Sequence, residues 1–184
     1  MPRWFAEEGW ALTPETAGMA GLMGRGPHLG GITARVRRDA KAMRVLIGGR
    51  NLAAPGDPAA RFSLALDGHV VEQWDVAPGF FLRVVDLPAG ALSGDGRWAA
   101  LTIQSAAVTG EAVVPTAIEQ FDLQPAGTLV WGFDDGWHEA EYPASGVWHW
   151  TSDRATLRVA GATTAVRVSI GAEPPLRYFD APSE

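Results

Sequence analysis

The chain has 184 residues, 47% of them hydrophobic, and a formal net charge of −6. A chain of this length and hydrophobic content can form one large domain whose core needs no covalent cross-links. Because there is no cysteine, a disulfide framework and a zinc–thiolate site are both excluded. The acidic balance and the single lysine, Lys41, disfavour a nucleic-acid surface. We expect a soluble chain without a targeting signal, since no apolar run approaches the roughly 20 residues of a membrane-spanning helix.

Residues 1–31 are predicted to be irregular. Glycines recur through this part and break any helical period. A short helical turn over residues 15–23 is the one regular feature expected, because Thr13 is a good N-cap and proline at position 14 suits the first helical position.

From residue 32 onward the pattern changes to short strands at a spacing of about ten residues, which is typical of a sandwich. We predict a hairpin of residues 32–37 with 42–47, and a second hairpin around Asp67-Gly68, a strong turn signal. The further predicted strands are residues 80–87, placed centrally in a sheet, 98–104, 119–123 and 128–131. The fold class is therefore all-β, an antiparallel β-sandwich or jelly-roll-like unit over residues 32–131.

Part of this unit recurs later in the chain. At an offset of 123, residues 33–48 match residues 156–171 without gaps, with Thr, Arg, Val, Ala, Arg, Val, Ile and Gly in register. We interpret residues 132–184 as an aromatic-rich connector followed by the opening hairpin of a second, incomplete unit. Two strands alone bury too little apolar surface to fold. We therefore expect residues 155–171 to lie against the first unit or to mediate self-association through an open edge.

The connector carries a dense group of polar side chains. Its carboxylates beside His138 could act as general acid and base, or bind a hard cation such as calcium; they are Asp134, Asp135, Glu139 and Glu141. The alternative is that acidic residues next to a turn are simply solvated. His138 and His149 have no third ligand at a metal spacing, so structural or surface roles are favoured for them. We expect no metal, no cofactor and no catalytic residue.

Aromatic side chains are concentrated in the same stretch. Stacking on a sugar ring requires flat apolar surfaces with polar atoms beside them. Trp148 and Trp150 are two residues apart in a strand-like run, so they share a face while His149 points the other way. The predicted ligand-binding residues are Trp137, Glu139, Glu141, Tyr142, Trp148 and Trp150. The alternative is that these tryptophans fill the sandwich core.

Two runs in this stretch, residues 136–142 (GWHEAEY) and 148–157 (WHWTSDRATL), resemble the opening of β-sandwich domains found after the membrane region of bacterial glycosyltransferases of the protein-mannosyltransferase type. The resemblance implies a bacterial, extracytoplasmic accessory domain in contact with a glycan or a lipid-linked sugar. This chain departs from such proteins because it contains no glycosyltransferase motif, so their activity is not carried over.

These observations give three hypotheses. The first is a non-catalytic β-sandwich accessory module that binds carbohydrate. The second is a structural interaction domain that assembles through an open β edge. The third is a sandwich-fold hydrolase that uses the acidic turn, and it requires two carboxylates within reach of a common cleft.

Overall fold

The computed structural model describes residues 3–6, 28–29, 31–108, 114–141, 148–161 and 163–173, and the sequence-based helical turn at residues 15–23 lies outside them. The described chain is all-β with antiparallel pairing throughout, as predicted. It contains no helix of a length and hydropathy that would cross a membrane.

Thirteen strands follow one another in the part of the chain that the structure describes. They are β1 (Trp4–Ala6), β2 (His28–Leu29), β3 (Ile32–Arg37), β4 (Met43–Asn51), β5 (Ala60–Leu66), β6 (His69–Val76), β7 (Gly79–Leu87), β8 (Trp98–Ala107), β9 (Thr116–Pro125), β10 (Val130–Phe133), β11 (Trp137–Glu141), β12 (Trp148–Thr151) and β13 (Leu157–Ala160). Both β1 and β2 lie within residues 1–31, a part that the sequence predicts to be irregular.

Two sheets form the sandwich. A five-stranded sheet has the order β1-β3-β8-β5-β6, and a four-stranded sheet has the order β2-β9-β4-β7. Alternate side chains from both sheets fill one core, which includes Phe62, Leu101, Ile47 and Phe121. The ring of Trp4 in the first sheet meets that of Phe121 in the second edge to face, with 4.6 Å between centroids.

The predicted hairpin at Asp67-Gly68 is confirmed. Strands β5 and β6 pair from Ala60 opposite Val76 to Leu66 opposite His69. Asp67 and Gly68 have φ angles of 47° and 82°. This left-handed pair is what a two-residue hairpin turn requires.

The predicted hairpin of residues 32–37 with 42–47 is wrong. Strand β3 pairs with β1 and β8, whereas β4 pairs with β7 and β9 in the other sheet. Residues 38–42 therefore cross between sheets. The common core contains Ala34 and Val36 of β3 together with Met43 and Val45 of β4. The alternation of core-facing and outward side chains is therefore the same as it would be in a hairpin.

The central position predicted for residues 80–87 is also wrong, because β7 is an edge strand of the four-stranded sheet. Its apolar character has a different cause. Phe81 and Val85 face the main core, while Leu82 and Val84 belong to a second apolar cluster with Leu46 and residues of the last strands.

That second cluster marks a third layer on the outer face of the four-stranded sheet. Strand β10 pairs with β13, and Val130 and Ala160 pack there against Leu46 and Leu82. Residues 157–160 of the repeated segment therefore lie against the first unit. Residues 163–173 are exposed and belong to no strand.

Candidate functional site

The site is built on the ribbon of β10 and β13. Because successive side chains of a strand alternate, Val130 and Gly132 face the sheet beneath, and Trp131 and Phe133 point away from it. The rings of Trp131 and Phe133 meet edge to face with 5.6 Å between centroids. Phe133 therefore forms the base on which the next hairpin rests.

The side-chain amide of Gln120 in β9 holds Phe133 in place. Its Nε2 donates to the carbonyl oxygen of Phe133 at 2.7 Å, and its Oε1 accepts from the backbone N–H of Phe133 at 2.8 Å. Gly132 leaves the necessary space, since a Cβ there would lie 2.9 Å from this Oε1 and from Leu82 Cδ1. No sequence pattern indicates this role for Gln120.

The acidic turn at residues 134–136 is a structural connection. Asp134 is buried and forms an ion pair with Arg158 of β13. Its backbone N–H donates to the carbonyl oxygen of Thr156 at 2.9 Å, and the N–H of Thr156 donates to that of Asp135 at 2.8 Å. The carboxylate of Asp134, a candidate for acid–base chemistry, thus neutralises an arginine. The described residues contain no group of three or more His, Asp or Glu side chains able to hold a metal ion.

The hairpin of β11 and β12 packs on Phe133 through its back face. The ring of His149 lies 4.2 Å from that of Phe133, and the ring of Trp137 lies 4.6 Å from it. The Nε1–H of Trp137 donates to the carbonyl oxygen of Thr156 at 2.9 Å, and His149 Nδ1 lies 3.1 Å from the carbonyl oxygen of His138. Trp137 is therefore half-buried and ties the hairpin to the ribbon.

The front face of the same hairpin is open to solvent. Trp148 and Trp150 are each 46% exposed. Glu141 lies opposite Trp148 in the ladder, and its Oε1 accepts a hydrogen bond of 2.8 Å from the Nε1–H of Trp150. We name Trp148, Trp150 and Glu141 the aromatic face.

The six predicted ligand-binding residues thus fall into three groups. Trp148, Trp150 and Glu141 come together on the aromatic face, and neither tryptophan fills the sandwich core. Trp137 lies on the opposite side of the hairpin. Glu139 is in β11, with its side chain outside the described part of the structure, and Tyr142 lies outside the described residues.

No family model and no curated protein matches this sequence. A family 35 carbohydrate binding module from an environmental isolate is 15% identical over 67% of this chain and 96% of its own, with a TM-score of 0.37. A family 35 module from Clostridium thermocellum is 9% identical over 66% of this chain and 88% of its own, with a TM-score of 0.34. At these identities and TM-scores the likeness carries no argument about this chain.

Proposed function

We propose that this chain is a non-catalytic β-sandwich module that binds a neutral carbohydrate on the aromatic face. The proposal rests on one observation. Trp148 and Trp150 are both solvent-exposed, and beside them lies the carboxylate of Glu141, which accepts a hydrogen bond from Trp150. Burying one such side chain would contribute about 1.5–3 kcal/mol or more to folding. Two neighbouring tryptophans left in solvent therefore indicate a contact surface.

The chemistry of this face suits a pyranose. The C–H groups on one side of a sugar ring stack on a flat indole, while its hydroxyl groups donate to acceptors at the rim. Glu141 supplies such an acceptor, and its hydrogen bond to Trp150 fixes it beside the indole. A carboxylate at this position, in a chain of net charge −6, favours a neutral glycan over an anionic one.

The back face of the hairpin supports the same proposal. Trp137 and His149 are packed on Phe133, which the amide of Gln120 anchors to the sheet. The aromatic face is thus presented on a supported element, which lowers the ordering cost of binding. The sequence resemblance also implies an extracytoplasmic location and contact with a lipid-linked sugar. We include both in this proposal.

Calorimetric titration with a panel of neutral oligosaccharides tests the proposal. We expect Trp148→Ala and Trp150→Ala each to raise Kd by about tenfold or more, since a central tryptophan typically contributes about 2 kcal/mol. Both side chains are half-exposed, so the melting temperature should stay close to that of the wild type. Glu141→Gln keeps an acceptor for Trp150 and should weaken binding less than either alanine variant.

Trp98→Ala is the matched control. Trp98 in β8 is a partly exposed tryptophan on the outer face of the five-stranded sheet, where it contacts Phe5. We expect its loss to leave the affinity unchanged. Binding that survives both Trp148→Ala and Trp150→Ala, or a folded wild-type protein that binds no member of the panel, would refute the proposal.

A further inference from the structure

The hairpin of β11 and β12 carries two polar side chains next to the aromatic face. Ser152 follows Trp150 by two residues, so its side chain lies on the same side of the chain. The backbone N–H of Ser152 donates to the carbonyl oxygen of Gly136 at 2.9 Å, which continues the ladder one step beyond Thr151, the last residue of β12. Ser152 Oγ lies 3.5 Å from His138 Nε2, and both side chains are exposed. We name His138 and Ser152 the polar pair.

An irregularity in β11 turns His138 towards this side. The pairing of β11 with β12 shifts within residues 137–140, where β11 contains one extra residue. In a regular strand, side chains three residues apart lie on opposite faces. Here His138 contacts Ser152 while Glu141, three residues later, contacts Trp150, so both lie on the front of the hairpin. Bulges of this kind re-aim a side chain in many binding sites.

The front of the hairpin is therefore longer than the aromatic face alone. Trp148, Trp150 and Ser152 follow one another along it at a spacing of about 6.8 Å, twice the rise of about 3.4 Å per residue in an antiparallel strand. A pyranose ring with bonds of about 1.5 Å is only about 3 Å across, so it stacks on one indole at a time. The two tryptophans thus suit two successive sugars, and the polar pair lies at the position of a third.

The polar pair has unused hydrogen-bonding capacity. A distance of 3.5 Å is at the outer limit of a hydrogen bond, and neither side chain makes a shorter one to another described residue. The hydroxyl of Ser152 can donate one hydrogen bond and accept two, and each ring nitrogen of His138 can donate or accept one. Sugar hydroxyl groups also donate and accept, so they match both side chains.

We propose that the carbohydrate site extends from the aromatic face to the polar pair, and that its ligand is an extended chain of at least three neutral sugars lying along β12. Two successive rings stack on Trp148 and Trp150, and hydroxyl groups of the third bind Ser152 and His138. This inference rests on the function proposed above and adds to it the length and shape of the ligand.

The arrangement of the three positions also selects the linkage. They lie on one side of a single strand, so successive sugars have to continue in one direction. Equatorial linkages at C1 and C4 keep a sugar chain extended, whereas an axial linkage at C1 turns the next ring away from the line of the chain. The ligand class is therefore a neutral β-1,4-linked chain, such as one of glucose, mannose or xylose.

Calorimetric titration with β-1,4-linked oligosaccharides of glucose, mannose and xylose, two to four sugars long, tests the length and the linkage. For the series that binds best, we expect the affinity to rise by about fivefold from two sugars to three, the contribution of one or two hydrogen bonds. Oligosaccharides of α-1,4-linked glucose of the same lengths are the matched control and should bind about tenfold more weakly. Equal affinity for two and three sugars, or for the two linkages, would overturn the proposal.

Ser152→Ala and His138→Ala test the polar pair separately from the tryptophans. We expect each variant to bind the three-sugar chain about fivefold more weakly than the wild type and the two-sugar chain equally well, because two sugars occupy only the indoles. Trp150→Ala should weaken the binding of both chains. Ser169→Ala, at an exposed position outside the hairpin, is the matched control and should change neither affinity. Circular dichroism of each variant, all at exposed positions, checks that the fold is intact.

The outcomes distinguish this inference from the proposed function. If Trp148→Ala and Trp150→Ala weaken binding while both polar-pair variants bind every chain length like the wild type, the proposed function stands and the extension of the site is wrong. If the folded wild-type protein binds no neutral oligosaccharide of any linkage, both are wrong. A loss confined to the three-sugar and longer chains in Ser152→Ala and His138→Ala supports the extension.

Discussion

At the scale of single residues, Gly48 and Gly49 show how a glycine pair can mark close packing within a strand. The sequence predicts that the strand ends at this pair. Strand β4 instead continues to Asn51, and its pairing with β9 shifts in register between these two glycines. A Cβ at Gly49 would overlap the carbonyl oxygen of Ala117 in β9. The pair therefore permits two backbones to approach, which composition alone does not distinguish from a turn.

We expect Gly49→Ala to lower the free energy of unfolding by about 2–4 kcal/mol, because the methyl group meets backbone that cannot rotate away. Gly171→Ala is the control, since a Cβ there meets nothing within 4 Å. It should change stability by no more than about 0.5 kcal/mol. Urea unfolding of both variants measures the difference, and equal stabilities would show that the β4–β9 approach is looser than described.

Asp67 links stability to pH. Its carboxylate accepts a hydrogen bond of 2.8 Å from the backbone N–H of Ala100 and one of 2.7 Å from Arg38. First the backbone hydrogen bond and then the guanidinium hold the pKa of Asp67 below its ordinary value. The stabilisation is therefore present above the unfolded-state pKa of about 3.9 and is lost as the pH falls through the lower folded-state pKa.

Asp67→Asn keeps an acceptor for Ala100 and tolerates the positive φ, but it carries no charge to titrate. We expect its free energy of unfolding to fall less steeply than that of the wild type below about pH 4. The carboxyls of Asp75 and Asp86, whose pKa values are also lowered by their arginine partners, titrate in both proteins and cancel in the comparison. Identical pH dependence in urea unfolding would contradict this assignment.

At the scale of elements, the sequence indicates strands more reliably than it indicates their partners. The predicted ranges 32–37 and 98–104 correspond to β3 and to most of β8, because inward and outward side chains alternate there. The same alternation occurs whether two successive strands form a hairpin or cross between sheets. For β3 and β4 it cannot distinguish the two, since both strands turn alternate side chains into the same core.

The sequence indicates the third layer, formed by β10 and β13, even less clearly than it indicates strand pairing. An apolar residue such as Leu46 in β4 faces outward, and only the later packing of Val130 on it explains why it is buried. The long apolar run of residues 80–87 therefore indicates burial on both faces, which is found in central strands but also in an edge strand beneath another layer.

Gln120 provides a test of how the third layer is attached. Gln120→Ala removes both side-chain hydrogen bonds to the backbone of Phe133 and leaves those partly buried groups unpaired. We expect a loss of about 2 kcal/mol in the free energy of unfolding, together with faster hydrogen exchange in β10. Gln104→Ala, at an exposed position of β8, is the control and should change neither. Unchanged exchange in β10 of Gln120→Ala would show that apolar packing alone holds the layer.

At the scale of the whole molecule, the sandwich presents the aromatic face on its hairpin of β11 and β12. The spacing of Trp148 and Trp150 correctly predicts that they share a face. It does not predict that this face is solvent-exposed, because that depends on the side by which the hairpin rests on Phe133. Trp137 belongs to the same cluster in the sequence but packs on the ribbon, since its face of β11 is the one turned towards Phe133.

The most direct test of the proposed function is the indole N–H region of a nuclear magnetic resonance spectrum recorded during titration with neutral oligosaccharides. The chain has eight tryptophans, and single Trp→Phe variants assign their signals. We predict that the signals of Trp148 and Trp150 shift in a saturable manner with one member of the panel, while those of Trp74 and Trp98 stay in place. Unmoved Trp148 and Trp150 signals across the whole panel, in a folded protein, would contradict the account.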